Sequence, residues 1–474
     1  MSTRYPKWVA ATAIAWMSMS APPAAAARLP NVLLILIDDL GWRDLGCYGS
    51  TFYETPNIDG LARQGIRFTQ AYAAAPVCSP TRASILTGRN PARLGIAGHI
   101  TAILRYRYPD NPRIFPPKDH MRLRLREITI AEALAGLGYT SAHIGKWHLG
   151  PEPYWPKTQG FDLNIAGGTH GSPPAYFYPY KNSKNDWNAF IPNMTGGKSG
   201  EYLTDRLTDE AIRFIETHRD RPFFLHLSHF AVHTPIQAPQ PHVNKYRQKL
   251  KRDTSQKNAT YAAMIDSVDQ NVGRLLETLD RLKLVEDTLV IFVSDNGGLS
   301  DVTNNAPLRE GKQTLYEGGI RVPLIVRWPG KFKPNATDDT PVHSDDLFPT
   351  ILDAVAAKPI PNVPLDGQSL KPLLTQTGKL PRRNLYWYYP LYARRPGAVV
   401  RDGDYKLIEH YDPPQIELFN VADDLSETKN LAPQMPDRVN AMHADLDNWL
   451  SAVNAIRHTP NPDHQPKKKS EPSS

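Results

Sequence analysis

The sequence predicts an α/β fold: a large, mostly parallel mixed sheet flanked by helices, with a smaller C-terminal subdomain of antiparallel sheet plus helix. Three observations carry this. Continuous apolar runs end abruptly in polar residues, as strands buried on both faces do. As far as about residue 356 these runs alternate with helical segments, which puts helices on both faces of one sheet. Beyond about residue 375 the chain turns to short aromatic and β-branched runs, the composition of a small antiparallel sheet.

The first strand is NVLLILIDD, residues 31–39, apolar until it meets two carboxylates. Residues 58–65 read as a helix closed by Gly65. A strand–loop–helix unit covers 66–90, a helix 128–138, and a strand 139–144 that runs into GKWHLG. A helix over 201–218 precedes a strand over 222–230, and a helix over 259–283 precedes a strand over 288–294 that ends at Asp295. A strand at 322–328 and a helix near 344–356 follow. The runs at 385–411 and 415–419 give the small sheet, and 436–454 the last helix. Residues 121–127, MRLRLRE, alternate basic and apolar side chains, which predicts an exposed strand face or a track for a polyanion. The division is therefore 28–375 for the α/β domain, 376–456 for the C-terminal subdomain, and 457–474, rich in Pro, Lys and Ser, for a disordered tail.

Residues 1–27 stand apart. Arg4 and Lys7 precede an apolar stretch, Trp8 to Met19, and a small-residue run up to Ala27, the layout of a cleaved secretory signal peptide. The stretch is shorter than the ~20 residues of a spanning helix, and no later segment spans a membrane. The expectation is an exported protein, periplasmic or secreted, with the Ala-rich signal pointing to a bacterium.

Of 474 residues, 41% are hydrophobic and 22% charged, the balance of a folded chain. Two cysteines, Cys47 and Cys78, exclude a disulfide scaffold and a four-cysteine zinc site. A net charge of +7 without any nucleic-acid motif gives no reason to expect nucleic acid as a partner. Gly-rich nucleotide loops, H-E-x-x-H and G-x-S-x-G are absent.

Chemistry gathers at predicted strand ends, where ligands of parallel sheets sit. Asp38 and Asp39 close the first strand; Asp295 and Asn296 close another more than 250 residues later. Adjacent carboxylates repel unless a cation neutralises them. All-oxygen ligands suit Ca²⁺ or Mg²⁺; a helix cap or surface turn is the other reading. Cys78 enters a helix near Pro80, where an anion is stabilised, with Arg82 one turn on. It reads either as a low-pKa nucleophile or as a buried structural cysteine.

The segment CSPTRASILTGR, residues 78–89, resembles the maturation motif of type I sulfatases, in which the motif cysteine becomes Cα-formylglycine (3-oxoalanine). NVLLILIDDLG, GKWHLG at 145–150, VHTP at 232–235, VSDNGG at 293–298 and REGKQTLYEGGIRVPLIVRWPG at 309–330 resemble further motifs of that family in order. So do LDGQSLKPLL near 365–374 and ELFNVADDLSETKNLA near 417–432, and the resemblance covers residues 30–450.

It implies the alkaline-phosphatase-like fold and a sulfatase hydrolysing sulfate esters. It implies that Asp38, Asp39, Asp295, Asn296 and the formylglycine from Cys78 bind Ca²⁺. One hydroxyl of the hydrated aldehyde takes the sulfate, and the second, deprotonated, expels it. Arg82 would hold those hydroxyls, and Lys146 and Lys312 would clamp sulfate oxygens. His148 would take the second hydroxyl's proton and His233 would serve the leaving oxygen. The partners implied are a sulfated carbohydrate or aryl sulfate substrate and a formylglycine-generating maturation enzyme. His99, His170, Arg309 and the aromatic run AYFYPY at 175–180 are candidates for contacting the sugar. Cys47 is expected as a buried free thiol. Two rivals stand: a phosphodiesterase or phosphonate monoester hydrolase of the same superfamily, and a non-catalytic protein that binds sulfated glycans.

Overall fold

β1 (Asn31–Ile37) runs with all seven residues buried, as its unbroken apolar sequence dictates. The computed structural model to which it belongs describes residues 1–3, 28–100, 109–182 and 188–465. The later strands are β2 (Ile66–Tyr72), β3 (Ile114–Phe115), β4 (Thr140–Gly145), β5 (Leu163–Ile165), β6 (Phe223–Ser228), β7 (Thr288–Ser294) and β8 (Arg321–Arg327). After them come β9 (Ala336–Asp338), β10 (Val342–His343), β11 (Leu385–Tyr389), β12 (Gly397–Asp402), β13 (Tyr405–Tyr411), β14 (Pro414–Asn420) and β15 (Thr459–Pro460). Nine strands form one sheet in the order β10-β2-β8-β7-β1-β6-β4-β5, with β9 also on β2. β1 pairs in parallel with β6 and β7, and β4 with β5 and β6; β8 runs against both its neighbours, β2 and β7.

Alternation along β1 builds two cores. Leu33, Ile35 and Ile37 join one apolar layer; Val32, Leu34 and Leu36 join the other. Helices Leu203–Thr217 and Ala259–Arg281 cover the first face, and helix Leu347–Ala354 packs on the second. The long helix begins at Asn258, whose side chain accepts from the N–H groups of Thr260 and Tyr261.

β11 to β14 form the antiparallel C-terminal sheet, which packs under helix Pro436–Ala452. Its other face meets the α/β part through Trp387, Tyr389 and Ile408 against Tyr72, Leu315 and Tyr316. A buried ion cluster fastens this seam: Lys406 Nζ lies 3.0 Å from Glu317 and 2.8 Å from Glu427.

Three expectations change. Residues 121–127 form a turn rather than a strand, because Glu127 N donates to Arg124 O and the arginines gather on the Glu127 carboxylate. The start of the expected disordered tail is ordered: β15 pairs with β3, and Asn461 Nδ2 donates to Pro112 O at 2.7 Å. The rest of that tail lies outside the described residues, as does the signal peptide beyond its first three residues. Cys47 is free but only half-buried, because the short Gly46–Tyr48 turn that carries it runs near the surface. Among the described residues no helix is long and apolar enough to cross a membrane.

Candidate active site at the carboxyl ends of the strands

The parallel strands deliver the polar residues to one place. Asp38 and Asp39 follow β1, Asp295 and Asn296 follow β7, Lys146 and His148 follow β4, and His233 follows β6. Cys78 opens helix Cys78–Thr87, every residue of which is buried. Asp39 adopts φ 62 and His148 φ 61, left-handed conformations at the two tight exits from their strands.

The thiol of Cys78 is the hub. Its Sγ lies 3.4 Å from Asp38 Oδ1, 3.9 Å from Asp39 Oδ1, 3.5 Å from Lys312 Nζ and 3.8 Å from His99 Nε2. Lys146 Nζ donates to Asp38 Oδ2 at 2.6 Å. Lys312 Nζ reaches both oxygens of Asp39, at 2.6 and 2.7 Å. Asn296 Nδ2 donates to Asp39 Oδ1 at 2.8 Å. Arg82 Nε donates to Asp295 Oδ2 at 2.8 Å, and its Nη1 to Lys146 O and Ser228 Oγ. His233 Nε2 stands 3.7 Å from Asp39 Oδ2, with Nδ1 on Thr234 O. His148 turns Nε2 onto Ile100 O at 2.7 Å and stacks behind His99.

Burial drives the Asp38 carboxyl up to about 8 in spite of Lys146, with Asp295 and Asp39 adding to the rise. Burial acts the same way on Asp39, but Lys312, His233 and Lys146 outweigh it and hold that carboxyl well below the usual range. The histidines are kept neutral: burial and then Lys312 lower His233 to about 3, and burial with nearby lysines holds His99 and His148 well below their ordinary value. Burial also pushes the Cys78 thiol far up, against Lys146 and Lys312, so a free thiolate is disfavoured here.

A metal ion fits this donor set. Asp38, Asp39, Cys78 and His233 each offer a ligand atom, all within 4.8 Å of one another. Asn296 Oδ1 is buried without a hydrogen-bond partner, an acceptor with two lone pairs and no donor. Carboxylate and amide oxygens favour a hard cation. His233 brings a ring nitrogen into this group, an approach that the spacing of the acidic pairs did not suggest.

Of the sugar-contact candidates, His99 touches Cys78, and His170 adjoins Gly171, which packs closely on the His148 ring. Arg309 turns to the C-terminal subdomain: it donates to Glu427 O at 2.9 Å and stacks on Tyr316 at 3.8 Å. In the aromatic run, Tyr176 is fully buried, and its hydroxyl donates to Phe230 O and His233 O, bracing the His233 loop. Sequence reasoning passed over Ser228, which bridges Arg82 and Lys146, and its neighbour His229. Both close a predicted strand, the same signal that singled out Asp38 and Asp295.

A family profile described as Sulfatase matches residues 30–357, and one described as N-sulphoglucosamine sulphohydrolase, C-terminal, matches residues 311–454. The chain is 34% identical to a protein named Sulfatase from Formosa agariphila, over 91% of this chain and 90% of that one. It is 36% identical to Arylsulfatase A from Homo sapiens, over 81% and 75% of the two chains. Among solved structures it resembles Ps i-CgsB in complex with k-i-k-neocarrahexaose, with a TM-score of 0.77, 31% identity, and 89% and 93% of the chains covered.

Proposed function

The chain belongs to the sulfatase family, and from that premise we propose that it hydrolyses sulfate esters of a sulfated carbohydrate, with a formylglycine made from Cys78 as nucleophile and Ca²⁺ held by Asp38, Asp39, Asp295 and Asn296. Sulfuric ester hydrolysis comes with the family. The assignment to these residues rests on one observation: two carboxylates, a lysine and a histidine all converge on the Cys78 sulfur. The neocarrahexaose bound by the Ps i-CgsB relative supports a carbohydrate substrate.

Ca²⁺ among those oxygens would supply the charge that draws sulfate oxygens and lowers the pKa of a neighbouring hydroxyl. Conversion of the cysteine supplies an oxygen nucleophile where burial disfavours a thiolate. A cation among these side chains would hold Asp38 ionised as well, and Asp38, Asp39 and Asp295 would then balance Arg82, Lys146 and Lys312. A dication and a monoanionic ester entering together leave one positive charge in excess, which favours an ionised oxygen at position 78. Lys146 and Lys312, then freed from their carboxylates, offset charge that builds on the sulfate during transfer. His99, neutral and against Cys78, is placed to take a proton there through Nε2. His148 orients that ring from behind. His233, with Nδ1–H on Thr234 O, leaves Nε2 facing Asp39 and the site; as a neutral ring it would first take up a proton there and then hand it to the leaving oxygen. Export through the signal peptide to the periplasm or medium, and maturation by a formylglycine-generating enzyme, belong to the same proposal.

The test is mass spectrometry of the tryptic peptide Phe68–Arg82 from protein co-expressed with a formylglycine-generating enzyme, beside parallel assays on aryl sulfate and aryl phosphate. An aldehyde or its hydrate at Cys78, with sulfate preferred, is the expected result. An unmodified thiol alongside a matured control substrate would remove the nucleophile. A large preference for phosphate would move the chain to the phosphodiesterase or phosphonate hydrolase reading.

A further inference from the structure

The turn at 121–127 gathers charge. Leu123 is buried and Leu125 is half exposed, while the arginines between and beside them collect around one buried carboxylate. Arg89 pairs with Glu127 Oε2; Arg124 Nη2 lies 2.9 Å and Arg126 Nε 3.4 Å from Oε1. One carboxylate for three guanidiniums leaves a positive surplus. Arg122, exposed, adds a fourth cation and stacks on Tyr154 at 5.1 Å. The Nε groups of Arg89 and Arg124 are buried without a hydrogen-bond partner. His120, whose Nε2 accepts from Arg124 Nη1, registers the local field: burial and then Arg124, Arg122 and Arg126 lower its pKa.

The same segment is built onto the active-site loops from two sides. Leu123 N donates to Leu149 O at 2.9 Å, one residue past His148. Asp119 Oδ2 accepts from Ala97 N at 2.8 Å and Gly98 N at 3.1 Å, directly before His99. The segment that carries these arginines therefore adjoins the two histidine loops of the site.

We propose that the ledge formed by Arg122, Arg124 and Arg126 is a second anion-binding surface, which holds further sulfate groups of a polysulfated carbohydrate chain while one ester occupies the Cys78 site. This deepens the function proposed above and rests on it for the identity of the substrate. Guanidiniums match the planar pair of oxygens on a sulfate and bind it in bidentate fashion. The exposed part of Leu125, between Arg124 and Arg126 along the chain, gives a sugar ring an apolar contact beside those charges.

The experiment measures binding of fluorescein-labelled dextran sulfate by anisotropy, and turnover of p-nitrophenyl sulfate, with the full matured chain. R122Q/R126Q is compared with K331Q/K333Q. The control removes the same charge from exposed lysines beyond β8, which leaves the sheet at its other end because β8 runs antiparallel. The expected result is a Kd for dextran sulfate raised about tenfold in R122Q/R126Q and by less than about twofold in the control, with kcat/KM on p-nitrophenyl sulfate unchanged in both. An unchanged Kd, an equal loss in the control, or an equal loss of aryl sulfate turnover in R122Q/R126Q would overturn the ledge. If the wild-type protein turned over no sulfate ester, the proposed function would fail, and the binding comparison would still decide the ledge.

Discussion

Arg82 and Asp295 are locked together out of reach of solvent: Arg82 Nε donates to Asp295 Oδ2 at 2.8 Å, while Oδ1 of the same carboxylate accepts from Asp39 N at 3.2 Å. The guanidinium also donates to Lys146 O at 2.9 Å and Ser228 Oγ at 2.5 Å. One side chain thus ties the ends of β4, β6 and β7. Arg82→Gln leaves a buried carboxylate without its partner, and the expected cost is about 3–5 kcal/mol of stability. Arg82→Lys should rescue little, since one ammonium cannot repeat the fork. Urea midpoints and kcat/KM on p-nitrophenyl sulfate check this; a lysine variant equal to wild type in both would refute it.

Calcium is expected to stabilise the fold as well as to support turnover. At a hundred times Kd the gain is about 2.7 kcal/mol, visible as a rise in Tm on adding CaCl₂ to protein treated with EGTA. Asp39→Asn should abolish that rise, because Asp39 is the carboxylate kept ionised. A rise of the same size in the variant would place the ion elsewhere.

Acid should destabilise the protein through His229. Both its ring nitrogens are buried without partners, and burial lowers its pKa to about 4. The folded value is below the unfolded value of about 6.5, so the unfolded state takes up the proton first. The contribution is therefore complete above pH 6.5 and is lost as the pH falls towards 4, a loss of about 3 kcal/mol. His229→Leu should flatten the fall in urea midpoint across that window; the same slope in the variant would exclude this histidine as the cause.

Lys406 should matter to catalysis from a distance. It sits between Glu317 and Glu427 at the seam, and Glu317 N donates to Glu427 Oε2 at 2.7 Å. Glu317 follows the loop that carries Lys312. Lys406→Met leaves two buried carboxylates facing one another, at about 3–5 kcal/mol. Lower stability together with a raised KM is expected. Lower stability with unchanged kinetics would show that the seam does not position Lys312.

The fold was legible where burial alone shapes the sequence. β1, β6 and β7 are continuous apolar runs because both faces of the sheet are covered, and their polar terminators mark the site. The direction of β8 was not legible, since a strand buried on both faces reads the same either way. Residues 121–127 read as a strand because alternation was the only local signal; the Glu127 carboxylate, which folds them into a turn, acts through Arg89, far away in sequence. Arg309 was close to Lys312 along the chain, yet its partners Glu427 and Tyr316 draw it to the seam. Cys78, Arg82 and the acidic pairs stood out because their order along the chain resembles that of a known family; the contact of His99 with the thiol needed three dimensions.

Helix Cys78–Thr87 is buried along its whole length, and that sets an order of events in time. On the proposed chemistry, a modifying enzyme has access to the sulfur only before the loops that carry Asp38, His99 and Lys312 close around it. A molecule that folds first keeps its thiol for good, correct in shape and inert. The specific activity of a preparation then measures a race between two rates, and slower folding, rather than faster, yields more working enzyme.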